Sequence, residues 1–162
     1  IIFAGREILR YISGFIIKDE VKKRLCDLWY KRISLPQEEV SEEELQEFGW
    51  WYKVSPFKRK DTLVRVIKTL GFVKSKIDVP YEIVEELKSY AIEFPVETIK
   101  ILDLLVKPKR ETYEYLYKKD EYKEVIKLVK STGNEEAKKD ADVLINYLMS
   151  EAGMIDDFRD LL

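Results

Sequence analysis

Histidine is absent from this chain of 162 residues, and cysteine occurs only once, as Cys26. Without histidine the protein cannot build a Ser-His-Asp triad, a histidine metal site or an imidazole proton shuttle. A single cysteine excludes an intrachain disulfide and any zinc or iron–sulfur site that needs several thiolates. No apolar run approaches the roughly 18 residues of a membrane-spanning helix. We therefore expect no metal, no cofactor and no membrane contact.

The charge balance is nearly even, with 29 basic against 31 acidic side chains and a net charge of -2. Such a balance gives no general attraction to nucleic acid or to a membrane surface. Charged residues make up 37% of the chain, more than the usual quarter, which is typical of solvated helices. A lone thiol suits a reducing compartment, so we expect a cytoplasmic location. Because residue 1 is isoleucine, we expect the chain to be a fragment of a longer protein.

Helical periodicity recurs along nearly the whole chain, and the six glycines and five prolines fall mainly between the periodic stretches. The pattern predicts an all-α protein of about eight or nine helices. The predicted helices cover about 2–17, 19–32, 41–54, 61–71, 80–91, 95–106, 119–131 and 135–151. Ser41 and Glu44 predict a capping box at the start of the third helix. The predicted inner stripes include Val21 in the second helix, and Leu63, Val64, Ile67 and Leu70 in the fourth.

A repeat is the most informative signal. The apolar triplet at 83, 84 and 87 recurs at 125, 126 and 129, and the triplet at 101, 102 and 105 recurs at 143, 144 and 147. An earlier triplet at 63, 64 and 67 precedes the one at 101 by 38 residues. A period of about 40 residues is typical of HEAT and armadillo helix pairs.

From this period we predict antiparallel helix pairs stacked as a short HEAT-like α-solenoid, because each pair alone leaves an apolar face uncovered. Residues 1–40 are expected to form an N-terminal helical pair that ends an upstream region, and residues 41–162 the helical-repeat domain. A helical bundle without repeats is the alternative interpretation, since every amphipathic helix carries such triplets.

Two short motifs support a family resemblance: Phe48-Gly49-Trp50-Trp51, and Phe158-Arg159-Asp160-Leu161-Leu162. With them, residues 41–162 resemble the helical-repeat C-terminal arms of prokaryotic anti-phage defence proteins. In those multidomain proteins an effector, such as a Sir2-like NADase or a nuclease, often with a STAND-type ATPase, precedes a helical sensor. The resemblance implies a recognition role, in which the arm binds a phage or partner protein and controls an upstream effector domain. It transfers no catalytic residue.

No catalytic pattern stands out among the remaining polar residues. The carboxylates around Glu42 are interpreted as a solvated helix start, where negative charge favours the macrodipole. Cys26 is interpreted as a structural thiol, because no imidazole is present to activate it. Glycine-rich phosphate loops are missing. The sequence therefore predicts a protein that is not an enzyme; an enzyme of an unrecognised type would need a carboxylate or lysine site in a deep pocket.

Basic residues concentrate between residues 53 and 76, where eight lysines and arginines accompany one acidic residue, Asp61. Cationic side chains with interleaved aromatic rings are what a phosphate backbone and unstacked bases require. Nucleic-acid binding through the stretch 50–76 is therefore the alternative function. The other interpretation places the tryptophans in the core and the lysines on a solvated face. The candidate nucleic-acid contacts are Lys53, Lys58, Arg59, Lys60, Arg65, Lys68, Trp50 and Trp51.

The function that we predict is that of a non-catalytic helical-repeat scaffold or recognition module. Its partner is another protein or another domain of its own chain, because solenoid stacks present extended surfaces for such contacts. Tyr113, Tyr115 and Tyr117 are the candidate protein-binding residues, since alternate tyrosines in a linker cannot all face one core. A peptide or helix lying along the groove would bury apolar side chains against such a ridge.

Overall fold

The computed structural model describes residues 2–12, 18–53, 59–73, 77–107 and 118–162, and of residues 9–12, 37 and 53 the backbone alone. In these ranges every regular element is helical and no residue lies in a strand, which confirms the all-α fold class. The α-helices are α1 (Ile2–Ile12), α2 (Asp19–Arg32), α3 (Glu42–Gln46), α4 (Phe48–Lys53), α5 (Arg59–Val73), α6 (Pro80–Tyr90), α7 (Pro95–Val106), α8 (Lys119–Ser131), α9 (Glu135–Ser150) and α10 (Ile155–Phe158). Short 3₁₀ turns cover Gln37–Glu39 and Arg159–Leu161.

Several helix ends follow local signals in the sequence. Pro80 and Pro95 each occupy the first residue of a helix, where proline loses no hydrogen bond. Asn134 caps α9, because its Oδ1 accepts the backbone N–H of Ala137 at 3.0 Å. Beyond the end of α9, Gly153 adopts φ +69°, a left-handed conformation that glycine takes without strain. The bounds predicted for these helices therefore agree closely with the structure.

Other predicted bounds are wrong. The helix expected over 41–54 is divided at Glu47 into α3 and α4, although Ser41 Oγ accepts the Glu44 N–H at 3.1 Å as a capping box requires. The Glu44 carboxylate binds the Arg32 guanidinium. Helix α5 begins at Arg59 and continues through Gly71 to Val73. Of the first predicted helix, the part at 13–17 lies outside the described residues.

The inner face of α5 also differs from the prediction. Leu63, Val66, Leu70 and Val73 are buried, whereas Val64 is 38% exposed and Ile67 is half-buried. Steps of three, four and three residues keep the buried set on one stripe; Leu63 and Leu70 were predicted correctly, and the rest of the inner face is rotated away from Val64 and Ile67. In α2, Val21 is likewise exposed rather than buried. The match between the triplet at 63 and that at 101 therefore fails at Val64.

The chain divides into two compact units, Ile1–Ile83 and Val84–Leu162, so the division lies within α6. The predicted boundary between residues 40 and 41 falls inside the first unit. There, α1 packs on α4, and the Trp51 indole Nε1 donates to the Ile2 carbonyl oxygen at 3.2 Å. The N-terminal helix is thus part of the same core as the FGWW motif.

Three aromatic rings occupy the centre of the first unit. Trp29 stacks on Phe48 with 4.9 Å between ring centroids, and Trp51 meets Phe48 edge-on at 5.1 Å. All three side chains are fully buried. Stacked and edge-on ring pairs are the geometries that aromatic quadrupoles favour. Trp29, Phe48 and Trp51 therefore tie α2 to α4 and form the aromatic core of this unit.

Helices of the second unit are related in a regular way. Lys118 binds Glu85, and Lys88 binds Glu124, so α6 and the α8 region contact each other in the same order along both. Helices α7 and α9 behave alike: Lys100 Nζ lies 2.8 Å from a Glu136 carboxylate oxygen, and the Tyr147 hydroxyl donates to the Lys107 carbonyl oxygen at 2.7 Å. The two helices of each pair, α6 with α8 and α7 with α9, therefore run in the same direction.

Burial refines the predicted repeat within these helices. The six residues of the triplets at 83 and 125 are all buried, so an offset of 42 residues matches each buried position of α6 to a buried position of α8. The offset predicted for α7 and α9 does not, because Ile101 is buried and Val143 is 51% exposed. An offset of 43 pairs Ile101, Leu102 and Leu105 with three buried residues, Leu144, Ile145 and Leu148.

Candidate interaction surfaces

The two neighbouring tryptophans of the FGWW motif differ in exposure. Trp51 belongs to the aromatic core, and this excludes it as the stacking platform for a nucleic-acid base that the sequence predicted. Trp50 is half-buried, and the Arg6 guanidinium lies 5.8 Å from its ring centroid. Only one of the two predicted stacking residues thus remains near solvent.

The predicted basic contacts separate into several groups. Arg59, Lys60 and Lys68 are exposed on α5. Arg65 is half-buried, and its Nε and Nη1 atoms are shielded from solvent. Lys58 lies outside the described residues, and for Lys53 the structure describes only the backbone. Among the predicted basic contacts whose side chains the structure describes, Arg59, Lys60 and Lys68 thus form an exposed cationic edge along α5, and Arg65 does not belong to it.

An exposed aromatic ring lies beside this edge. Tyr30 on α2 is 54% exposed, and the Lys68 ammonium lies 5.4 Å from its ring centroid. Val64, one turn before Lys68 on α5, is the exposed apolar residue described above. A cation over an aromatic face contributes about 0.5–1 kcal/mol at an exposed position. We call Tyr30, Val64 and Lys68 together the Tyr30 surface.

Helices α2 and α5 hold this surface in a fixed register. The Trp29 indole Nε1 donates to Thr69 Oγ1 at 3.0 Å. Trp29 precedes Tyr30 in the sequence, and Thr69 follows Lys68. One turn earlier, Cys26 is close enough to Arg65 for the two to interact electrostatically. The hydrogen bond between Trp29 and Thr69 joins the residue before Tyr30 to the residue after Lys68, and so holds Tyr30 and Lys68 close together.

Cys26 itself is a poor candidate for chemistry. The thiol is half-buried, and burial raises its pKa above the ordinary value, against the opposing effect of the Arg65 charge. The carboxylates of Asp61 and Asp27 raise the pKa further. Because the thiolate is the reactive form, a raised pKa makes this cysteine less nucleophilic.

A second exposed group connects α1 with α4. Phe3 is 57% exposed, and the Arg6 guanidinium carbon lies 4.3 Å from its ring centroid. Arg6 Nη1 also lies 2.7 Å from a Glu47 carboxylate oxygen, so the same cation contacts Phe3, Glu47 and, at 5.8 Å, the Trp50 ring. The Arg6 charge is thus paired with Glu47 inside the first unit, and Phe3 is the exposed residue of this group.

In the second unit, one face of α8 carries four lysines at 119, 123, 127 and 130. Lys119 Nζ lies 2.8 Å from an Asp157 carboxylate oxygen, and Lys123 Nζ lies 2.9 Å from one of Asp160. Lys130 lies 2.7 Å from Asp142 and also donates to the Leu161 carbonyl oxygen. Hydrogen bonding to Asp157 raises the pKa of Lys119, and hydrogen bonding from Lys123 lowers the pKa of Asp160. These lysines are therefore engaged with residues 142–161.

The predicted protein-binding tyrosines, Tyr113, Tyr115 and Tyr117, lie outside the described residues, in the connection between α7 and α8. Among the residues that the structure describes, no group of three or more His, Cys, Asp or Glu side chains is placed to hold a metal ion. No helix in the same ranges is long and apolar enough to cross a membrane.

Comparison with known proteins adds no relative to this description. No protein-family model, no curated protein and no solved structure matches the chain. The candidate surfaces therefore rest on the geometry of this chain.

Sequence reasoning missed both the Tyr30 surface and the α8 lysine face. Tyr30 follows the buried Trp29, and adjacent helical residues point about 100° apart, so a helical wheel of α2 places Tyr30 away from the inner stripe. The lysines at 119, 123 and 127 recur every four residues, the spacing of one helix face. Their acidic partners at 157 and 160 could not be assigned from the sequence, because they depend on the path of the chain after α9.

Proposed function

We propose that this chain is a non-catalytic helical-repeat module that recognises a protein partner. The observation that carries the proposal is the regular relation of helices in the second unit, where α6 with α8 and α7 with α9 each run in the same direction. Successive helix pairs of a HEAT-like stack have this relation, since the first helices of neighbouring repeats lie side by side, as do the second helices. Offsets of 42 and 43 residues between their buried positions agree with such a repeat.

The Tyr30 surface supports the recognition role from the side of the first unit. It combines an exposed aromatic ring, an exposed aliphatic side chain and a lysine ammonium within two helical turns. Tyrosine is enriched at binding hot spots because it buries a large rigid area and keeps a polar end. We infer that a partner segment places an apolar side chain against Tyr30 and Val64 and a carboxylate near Lys68.

The wider role that we propose is that of the sensor arm of an anti-phage defence protein, acting with an effector domain elsewhere in a longer chain. The resemblance of the FGWW and FRDLL motifs supports this role. Tyr113, Tyr115 and Tyr117 remain candidate contacts in the connection between α7 and α8.

The experiment is a selection followed by a titration. Random peptides of about 16 residues, long enough for four helical turns, are displayed on yeast and enriched on the purified chain. Enriched peptides are then titrated calorimetrically against the wild type, Tyr30→Ala and a control variant, Val143→Ala, which removes an exposed apolar side chain from α9. We expect micromolar binding that Tyr30→Ala weakens at least tenfold and the control leaves unchanged. Failure to enrich any peptide family, or equal binding by all three proteins, contradicts the proposal.

Nucleic-acid binding stays as the second candidate, and one observation favours it. Arg59, Lys60 and Lys68 are exposed on α5, and Lys68 lies against the exposed ring of Tyr30. A stacking platform beside a row of cations is the arrangement that single-stranded nucleic acid prefers. Fluorescence anisotropy with labelled single-stranded and double-stranded DNA and RNA tests it at low and moderate salt. Binding that falls steeply with salt and is lost when Lys60 and Lys68 become glutamate supports this candidate; no binding at low salt removes it.

A further inference from the structure

Residues Ile155–Leu161, the docked segment, pack on α9 and form ion pairs with the α8 lysine face, in a conformation that they cannot maintain alone. The segment consists of one α-helical turn, Ile155–Phe158, and one 3₁₀ turn, Arg159–Leu161. Helices shorter than about 12 residues are marginal in water, because nucleation costs more than a few hydrogen bonds return. The shape of the docked segment is therefore imposed by the surface that holds it.

That surface recognises charge and shape together. Asp157 contacts Lys119, and Asp160 contacts Lys123 at 2.9 Å and Lys127 at 3.9 Å. Between these pairs, Phe158 is fully buried, and the Lys123 ammonium lies 5.9 Å from its ring centroid. Leu161 is buried one turn further along. Burial of the two apolar side chains supplies the attraction, and the exposed ion pairs supply register and direction.

The docked segment contacts the α8 region in the same order along the chain as α6 does. Acidic and basic side chains of α6 meet the α8 region in the order 85 with 118 and 88 with 124. The docked segment meets α8 in the order 157 with 119 and 160 with 123. Both neighbours thus run in the direction of α8. The docked segment therefore follows α8 over two short turns, in the same direction as the longer helix α6.

We propose that the α8 lysine face is a docking site for an acidic, aromatic helical segment of a partner protein, and that the chain's own docked segment occupies it until displaced. The recognised pattern is the one that the docked segment presents: Asp, Phe, any residue, Asp and Leu, as at 157–161. A partner helix of three or more turns with this pattern makes the same contacts and adds others along α8. This inference rests on the proposed function, because it names one partner chemistry for a recognition module.

The test uses the full chain and a fluorescein-labelled peptide with the sequence of residues 153–162. Asp160→Lys loosens the chain's own segment by charge repulsion while leaving Phe158 in place, so the fold is kept. We expect this variant to bind the peptide at least tenfold more tightly than the wild type does. Adding Lys123→Glu to the variant Phe158→Ala, whose own segment keeps Asp160, abolishes peptide binding, and a peptide carrying Lys at the position of Asp160 restores it. A peptide with Ala at the position of Phe158 does not bind.

Equal peptide binding by the wild type and Asp160→Lys, or indifference to Lys123→Glu in a variant with native helical circular dichroism, overturns the inference. A second variant, Phe158→Ala, loosens the docked segment by removing its apolar contact. We expect it to bind the wild-type peptide as Asp160→Lys does. Light scattering would detect wild-type dimers that exchange their docked segments. Such dimers would mean that the α8 lysine face binds a second copy of the chain, and they would overturn the assignment to a partner protein. None of these results depends on the Tyr30 surface, so failure here leaves the peptide selection as a separate test of the proposed function.

Discussion

Trp29 and Thr69 are joined by a buried hydrogen bond that sets the register of α2 against α5. The indole Nε1 donates to Thr69 Oγ1 at 3.0 Å, and the Thr69 hydroxyl in turn donates to the Arg65 carbonyl oxygen at 2.8 Å. The Trp29 ring meanwhile stacks on Phe48. One side chain therefore joins the aromatic core to α5 and positions Tyr30, its neighbour in sequence, beside Lys68.

Replacement of Thr69 by valine keeps the shape of the side chain and removes its hydroxyl. We expect this variant to lose about 1–3 kcal/mol of unfolding free energy, because the indole donor loses a buried acceptor. Thr69→Ser is the control, since it keeps the hydroxyl and removes one methyl group. Urea denaturation followed by tryptophan fluorescence reads the first unit alone, because all three tryptophans lie there. Equal stability of Thr69→Val and Thr69→Ser would show that the hydrogen bond does not matter.

Gly49 and Gly71 offer a matched pair of glycine-to-alanine changes. A Cβ at Gly49 would lie 1.9 Å from the Asp78 carbonyl oxygen, whereas a Cβ at Gly71 meets nothing within 4 Å. Because the contact at Gly49 is with backbone, it is relieved only by moving the segment before α6. We expect Gly49→Ala to destabilise the first unit by about 2 kcal/mol or more, and Gly71→Ala to stabilise it by up to about 1 kcal/mol. Thermal melts of both variants decide this, and a harmless Gly49→Ala would contradict the close approach.

Truncation of a buried ring and of an exposed ring in the first unit should have very different effects on the free energy of unfolding. Phe48→Ala removes a fully buried ring from the aromatic core, and we expect it to cost about 3–5 kcal/mol. Tyr30→Ala removes an exposed ring, and we expect a change within about 0.5 kcal/mol. Chemical denaturation measures both. A large loss of stability in Tyr30→Ala would identify Tyr30 as a structural residue and would remove the Tyr30 surface as a binding site.

Protonation of Asp160 should loosen the docked segment in acid. Hydrogen bonding from Lys123 holds the pKa of Asp160 below its ordinary value of 3.8, and the Lys127 charge adds to the effect. The contribution of this carboxylate is therefore complete above pH 3.8 and is lost as the pH falls through the lower value in the folded protein. The protection of the Phe158 and Leu161 amides from hydrogen exchange, measured by NMR relative to the intrinsic rate at each pH, should fall in that range. In Asp160→Asn the exchange should already be fast at pH 6, and a wild-type Asp160 that titrates above its ordinary value would contradict this account.

Local signals in the sequence were sufficient for much of the fold. The prolines at 80 and 95, the Asn134 cap and Gly153 mark helix ends whose causes lie within a few residues. The division at Glu47 and the inner face of α5 were predicted wrongly, because both depend on distant contacts. Arg32 binds the Glu44 side chain, and α5 packs on α3 and α4 and accepts the Trp29 hydrogen bond through Thr69.

The interaction surfaces were harder to predict than the helices. The sequence left Trp51 either as a nucleic-acid contact or as a core residue; it packs beside Gly5 of α1 and is buried, which agrees with the second interpretation. Tyr30 was overlooked for the opposite reason, since it lies among residues assigned to a core-facing helix. Exposure of a ring is decided by the neighbours that tertiary packing brings to it, and the composition of its own segment does not contain that information.

Calorimetric titration of a selected peptide against the wild type, Tyr30→Ala and Val143→Ala tests the central claim most directly. The account predicts micromolar binding by the wild type and by Val143→Ala, and a loss of at least tenfold in Tyr30→Ala at unchanged stability. Equal affinity in all three proteins, or no peptide binding together with salt-sensitive binding of polynucleotide, would contradict protein recognition through the Tyr30 surface.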